Sequence, residues 1–310
     1  MYFLKRTLQM LPVLLIVSFI GFVLIRSMPG GPFDSERKPA SAEIERNLKA
    51  KFHLDESIWK QYLRYLGVAG GSSGLVDGDL GPSLKYRNHT VNDILKQCLP
   101  VSMTLGAMSF CFAMFIGIPL GCFMALHRGK WGDYLGGFLA MLSFCVPSIV
   151  IAPLLILWLA VKLHWLPVAL WGSPSQMILP TIVLGLYFAG RIARLMREGL
   201  STTLHSEFIT TARAKGVSET AILWKHAFRL AILPVVSYSG PLLADLLTGS
   251  FVVENIFQIP GIGVFFINSI FNRDHTMTVG FVLVYAALLL ILNMLVDLSY
   301  SLLDRRVRYE

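Results

Sequence analysis

LPVSMTLGAMSFCFAMFIGIPLGCFMAL, residues 99–126, decides the architecture of this chain. A largely apolar run of that length exceeds the roughly 20 residues that an α-helix needs to cross the hydrocarbon core of a bilayer. Working outward, stretches 8–25, 135–163, 177–192, 231–253 and 279–303 meet the same requirement, with 177–192 the shortest. The expectation is therefore an all-α polytopic membrane protein with six spans. Membrane strands are set aside because they would come as alternating segments of about ten residues, whereas these runs are continuous. Helices also satisfy their own backbone hydrogen bonds in lipid.

Composition agrees: of 310 residues 55% are apolar and only 15% charged, which excludes an ordinary soluble domain. The formal charge of +8 sits mostly beside the hydrophobic runs, where it orients the chain and does not point to nucleic acid. Cys98, Cys111, Cys122 and Cys145 show neither paired nor CxxC spacing, and no His, Cys, Asp and Glu grouping has metal-ligand spacing. Lys5 and Arg6 precede the first apolar run as in a signal peptide. Residues 25–29 offer no small-x-small cleavage site, so an uncleaved first helix is expected. Gly129-Lys130 is followed by Trp131 and lacks phosphate-loop spacing, so any ATP hydrolysis belongs to another chain. No Ser, His and Asp set is placed for nucleophilic catalysis, and this chain is expected to move a substrate without transforming it.

Lys and Arg in short loops mark the cytoplasmic side. Lys5 and Arg6, then Arg128 and Lys130, then the stretch bearing Arg194, Arg197, Arg213, Lys215, Lys225 and Arg229, and finally Arg305, Arg306 and Arg308 all fall on one side of six spans. Both termini are thus expected in the cytoplasm. The expected division is 1–27 for the N-terminal end and first span, 28–98 for an external segment, 99–303 for the remaining spans with a cytoplasmic loop at 196–230, and 304–310 for a tail. Within the external segment, 42–52 has amphipathic helical spacing with Ser41 as N-cap, followed by an aromatic patch of Trp59, Tyr62 and Tyr65. The glycine-rich stretch 68–74 lacks the helix start and lysine of an anion cradle and reads as a surface loop.

The cytoplasmic loop MREGLSTTLHSEFITTARAKGVSETAILWKHAFRL, residues 196–230, has its own helical punctuation. Ser206 is placed to cap a helix that begins at Glu207, Arg213 and Lys215 sit near its negative end, and Gly216 suits a left-handed stop. Ser218 and Glu219 open a second helix through Ile222, Trp224 and Phe228 toward Pro234. Phe208, Ala212 and Lys215, with Thr211 beside them, share one face of the first helix. Such a face fits either a partner's groove or the lipid surface, and periodicity alone leaves both open.

The stretch from Ser206 to Gly216, followed by His226-Ala227 and Leu233-Pro234, resembles the coupling-loop motif of importer permeases of the ATP-binding cassette type. Thr210, Thr211 and Ala212 fall on the motif's Glu-Ala-Ala positions, Gly216 on its glycine and Pro234 on its closing proline. The two threonines and the long spacing to Pro234 resemble the peptide and nickel branch. Pro29-Gly-Gly-Pro-Phe33, Gly81-Pro-Ser83 with Tyr86, Val91-Asn-Asp93, Leu99-Pro-Val-Ser102, Thr248-Gly-Ser250, Val253-Glu254, Pro260-Gly-Ile-Gly263, Asn272-Arg-Asp274 and the 304–309 tail are similar to the B-type permease subunits of oligopeptide importers.

That resemblance implies the type I importer permease fold in the cell inner membrane and an ATPase-coupling element made of Glu207, Thr210, Thr211, Ala212, Arg213, Ala214, Lys215 and Gly216. It implies as partners a second permease of the C type, two ATP-binding subunits of the D and F types that hold ATP and magnesium, and an external peptide-binding protein. Within this chain no cofactor is expected. Asp245, near the middle of the fifth span, is a candidate for the peptide path or for a structural hydrogen bond, since a carboxylate there needs water or a partner. Asp297, nearer the cytoplasmic end of the sixth, suits a structural or gating pair. Glu254 ends the fifth span and stands before 264–270, too short to cross, as a gate or a plain connector. Pro119, Pro147 and Pro153 are candidate kinks. Nickel, haem, dipeptide or antimicrobial-peptide cargo fits the same class. An ion-coupled carrier working through Asp245 and Asp297 alone is the rival from outside it.

Overall fold

A computed structural model describes residues 2–27, 46–47, 50–53, 55–69 and 73–303, with side chains described for residues 7–295 of these. Most of the expected helix at 42–52, the Pro29–Phe33 motif and the 304–310 tail lie outside the described residues. Among the described residues the elements are α1 (Tyr2–Arg26), α2 (Ile58–Leu66), α3 (Val91–Leu126), α4 (Trp131–Cys145), α5 (Ser148–Leu155), α6 (Pro174–Leu204), α7 (Glu207–Ala214), α8 (Glu219–Ala221), α9 (Phe228–Ala231), α10 (Leu233–Leu247), α11 (Phe251–Ile256), α12 (Ile262–Phe271) and α13 (His275–Leu303). A π-helical turn over Ile156–Lys162 extends α5, and another over Ile222–Ala227 joins α8 to α9. The sole extended pairing among these residues is an antiparallel bridge between Pro82 and Thr90.

Among the described residues, five helices or helix runs are long and apolar enough to cross a membrane, and α4 with the α5 segment makes a sixth if the bent pair counts as one span. The third span is broken at one of the prolines expected to kink it, Pro147. Its two halves meet at 103°. Pro147 supplies the reason: it stands at the N-cap of α5 with extended backbone, and a proline also pushes Val146 before it out of helical conformation. Pro119, by contrast, lies within the continuous α3. The fourth span is longer than 177–192, running through Leu204, so Arg194 and Arg197 belong to the helix and not to the loop after it.

The chain divides into two compact units. In the larger, which takes in residues 101–261, α6 is the central element: 61% of its most apolar window is buried, against 33% for α3 or α10–α11. Its N-terminus is fixed by a capping box between Ser173 and Gln176 with Pro174 in the first turn. Close approach to α3 depends on two glycines one turn apart. A Cβ on Gly117 would stand 2.7 Å from the Ala189 carbonyl oxygen, and one on Gly121 would stand 2.5 Å from that of Ala193. Small residues on both helices thus let the backbones meet, which is how apolar helices gain packing when lipid supplies no hydrophobic drive. Gly121→Leu is expected to cost about 1–3 kcal/mol through overpacking. It should lower the yield and melting temperature of purified protein, while Gly137→Leu, in open space on α4, should leave both unchanged.

In the smaller unit, residues 3–100 and 262–288, the aromatic patch covers α1. Tyr62 packs edge-on against Phe19 and Phe22 at centroid distances of 5.1 and 5.5 Å, and its hydroxyl meets Ser18 Oγ at 2.8 Å. Asp274 is the polar centre of this unit. Its Oδ2 accepts from Ser83 Oγ (2.5 Å), Leu84 N–H (3.1 Å) and Lys85 N–H (3.2 Å), while Oδ1 accepts from Met277 N–H at the start of α13. Gly81, at φ +88°, lets the turn before Ser83 come up against Thr276. The distant motifs Gly81-Pro-Ser83 and Asn272-Arg-Asp274 are one clasp.

Candidate functional site: the coupling helix and the charges within the spans

α7 forms at the expected place, with extended backbone at Ser206 and left-handed backbone at Gly216 (φ +76°). One detail is corrected: Ser206 occupies the N-cap position, but its hydroxyl donates to the Thr203 carbonyl and caps nothing in α7. Ser218 does cap α8, accepting from Ala221 N–H. The element is anchored by Ile209, which is fully buried and packs into the main core. Around it Glu207, Phe208, Thr210, Thr211, Arg213, Ala214, Lys215 and Gly216 are exposed and Ala212 is half-buried.

Arg213 closes a clamp across the glycine turn. Its Nε and a terminal nitrogen donate to the two Glu219 oxygens at 2.7 and 3.2 Å, which fixes the angle between α7 and α8. The bond from Arg213 holds the Glu219 carboxyl below the usual range and raises the guanidinium. Both are fully solvated, so the pair sets geometry more than it adds stability. Gly216 N–H donates to the Arg213 carbonyl at 2.9 Å, and Val217 N–H to that of Ala212, which closes the helix. Mixed exposed residues on a short helix, tethered by one buried isoleucine, make a small rigid knob.

Glu254 is fully buried. Ser102 Oγ donates to its Oε1 at 2.7 Å, and a Cβ on Gly261 would stand 2.5 Å from both oxygens. Gly249, at φ +87°, faces the same carboxylate. Three separated motifs, around Ser102, Gly249 and Gly261, thus converge on one acidic side chain that ties α3 to the turns on either side of α11. Asp297 lies on α13 with its side chain outside the described residues.

Asp245 is exposed on α10, and beside it stands a residue that sequence reasoning missed. Arg191 on α6 donates to the hydroxyl oxygens of Tyr187 at 3.1 Å and Tyr238 at 3.4 Å. It is exposed, and near enough to Asp245 for a Coulombic interaction although no hydrogen bond joins them. The available signal was an arginine inside an apolar run. Ending the fourth span at residue 192 made Arg191 look like a terminal residue.

These helices define a polytopic helical membrane protein. The solved inward-facing structures of the MetNI methionine ABC transporter share its fold: one crystal form is 20% identical with TM-score 0.52, covering 70% of this chain and 97% of that chain, and another is 18% identical with TM-score 0.56, covering 68% and 97%. The family model for the binding-protein-dependent transport system inner membrane component matches residues 117–309. The oligopeptide transport system permease protein OppB of Haemophilus influenzae is 41% identical over 98% of each chain, and that of Escherichia coli K12 is 40% identical over 99% of each. The dipeptide transport system permease protein DppB of Bacillus subtilis is 40% identical over 99% of this chain and 97% of its own. The chain belongs to the family of binding-protein-dependent transport system inner membrane components.

Proposed function

We propose that this chain is the B-type permease subunit of an ATP-driven oligopeptide importer. A C-type permease completes the path, two ATP-binding subunits of the D and F types hold ATP and magnesium, and an external binding protein delivers the peptide. Both termini are cytoplasmic, the bent α4–α5 pair counts as one crossing, and residues 28–98 face outward. The observation that carries this reading is α7, an exposed knob ending at a left-handed glycine and braced by the Arg213–Glu219 clamp. Docked on an ATP-binding subunit, it passes nucleotide-driven closure to the spans through Ile209. Closure moves the spans only because the ATPase binds one membrane conformation more tightly than the other. Glu254, buried among Ser102 and the glycine turns, serves as the latch of the outer gate. Asp245 and Asp297 are assigned to the path and its inner pairing.

The test is uptake of a labelled tetrapeptide into proteoliposomes holding all four membrane-associated subunits. Uptake is expected to require both ATP and binding protein. Uptake driven by an ion gradient without the ATP-binding subunits would overturn the mechanism. Preference for dipeptide over tetrapeptide, the cargo named for the Bacillus relative, would keep the mechanism and change the cargo.

A further inference from the structure

Two helices of the larger unit turn polar stripes away from its core. On α6, Tyr187, Arg191, Arg194, Glu198 and Thr202 recur at helical spacing, and the last four are exposed. On α10, which packs against α6, the exposed positions are Pro234, Ser237, Pro241 and Asp245. Pro241 has no N–H, so the Ser237 carbonyl lacks its usual helical donor on that same face.

Depth decides what such stripes can face. Arg191 is thirteen residues from the end of α6 and Asp245 twelve from the start of α10, so each lies about 20 Å along its helix at 1.5 Å per residue. Both ends lead into the α7–α9 segment. A guanidinium and a carboxylate at that depth cannot turn to hydrocarbon without a cost of several kcal/mol. They face water or a polar occupant.

The Arg191 group is built to receive an anion. Tyr187 and Tyr238 use their oxygens to accept from the guanidinium, which leaves both phenolic hydrogens free to donate. Tyr187 is itself fixed edge-on against the buried Phe188 at 4.9 Å. The guanidinium still has unused donors, and among the described residues no carboxylate is hydrogen-bonded to it. Asp245 carries the opposite charge within Coulombic range of the guanidinium, and no hydrogen bond joins the two.

We propose that Arg191, with the Tyr187 and Tyr238 hydroxyls, receives the terminal carboxylate of the peptide in transit, and that Asp245 is the resident counter-ion that the carboxylate displaces. This rests on the peptide-import reading and adds the recognised group. A carboxylate is the one anion that all unmodified linear peptides share, so the station tolerates any side chain. Competition from Asp245 keeps the hold weak enough for release.

The test is single-round uptake from binding protein preloaded with either a free-acid tetrapeptide or its C-terminal amide, which removes the receptor's own preference. Wild type is expected to favour the acid about tenfold, the scale of one charge-assisted hydrogen bond. Arg191→Gln should bring that ratio to one, Arg191→Lys should restore part of it, and Asp245→Asn should raise it. A wild-type ratio of one overturns the assignment. So does an Arg191→Gln complex that takes up both peptides more slowly at an unchanged ratio, or that fails to assemble, either of which makes the patch a contact with the second permease. Absence of ATP-dependent uptake of both peptides by wild type sinks the import reading as well, and is told apart by that pattern.

Discussion

Replacing Gly216 with proline is expected to lower ATP-driven uptake at least tenfold while the complex still assembles. Proline fixes φ near −65°, and position 216 needs +76°. The substitution also deletes the N–H that closes α7 on the Arg213 carbonyl. Among the described residues nothing lies within 4 Å of where a Cβ would stand, so the lesion is confined to the backbone and a graded series follows. Gly216→Asn, which installs a side chain that tolerates the left-handed region, should behave close to wild type, whereas Gly216→Val should lose about 1–2 kcal/mol of local stability and be intermediate in uptake. The readout is uptake per ATP hydrolysed, in complexes checked for subunit stoichiometry. A valine variant as well coupled as wild type would show that the angle between α7 and α8 does not matter.

The second large effect is expected at Asp274. Asp274→Ala strands four donors: the Ser83 hydroxyl and the amides of Leu84, Lys85 and Met277. Losing a buried acceptor with several dependents costs about 3 kcal/mol or more. Amide exchange at Leu84 and Lys85 should therefore quicken about a hundredfold, since each 1.4 kcal/mol of local stability is a factor of ten, and protease should cut the 83–90 turn. Asp274→Asn keeps an oxygen for one side of the clasp only, and should fall between alanine and wild type. Unchanged exchange in the alanine variant would mean that water replaces the carboxylate at no cost, and that the clasp does not hold the turn.

Much of this was legible in the sequence, and the particular residues explain how far. Run length located the spans, because crossing lipid demands about twenty apolar residues whatever packs around them. Gly216 and the start of α7 were legible because helix ends are local events governed by caps and left-handed glycines. What escaped depended on partners far along the chain. Ser206 had the right identity for a cap, yet its hydroxyl found the Thr203 carbonyl first. Pro147 was legible as a kink, but a bend of 103° reflects how α4 and α5 each settle on α6. Arg191 was hidden by a span boundary set too early, since the residues after it are polar on one face and buried on the other. The motifs around Ser83, Ser102, Gly249, Gly261 and Asp274 marked a resemblance without a cause. The cause is convergence on two buried carboxylates, which no local pattern encodes.

The bend in the third span bears on how the protein is made. α4 has 15 residues, and α5 with its π-helical extension has 8 and 7. Each half is about 22 Å long or less, short of the roughly 30 Å of hydrocarbon. Taken singly, neither is long enough to cross. Both halves pack against α6, where Gly190 admits the Ala140 carbonyl and the Ser143 hydroxyl of α4. Yet α6 is synthesised after them. The packed, bent form of this pair is therefore completed only once the chain has been made through Leu204.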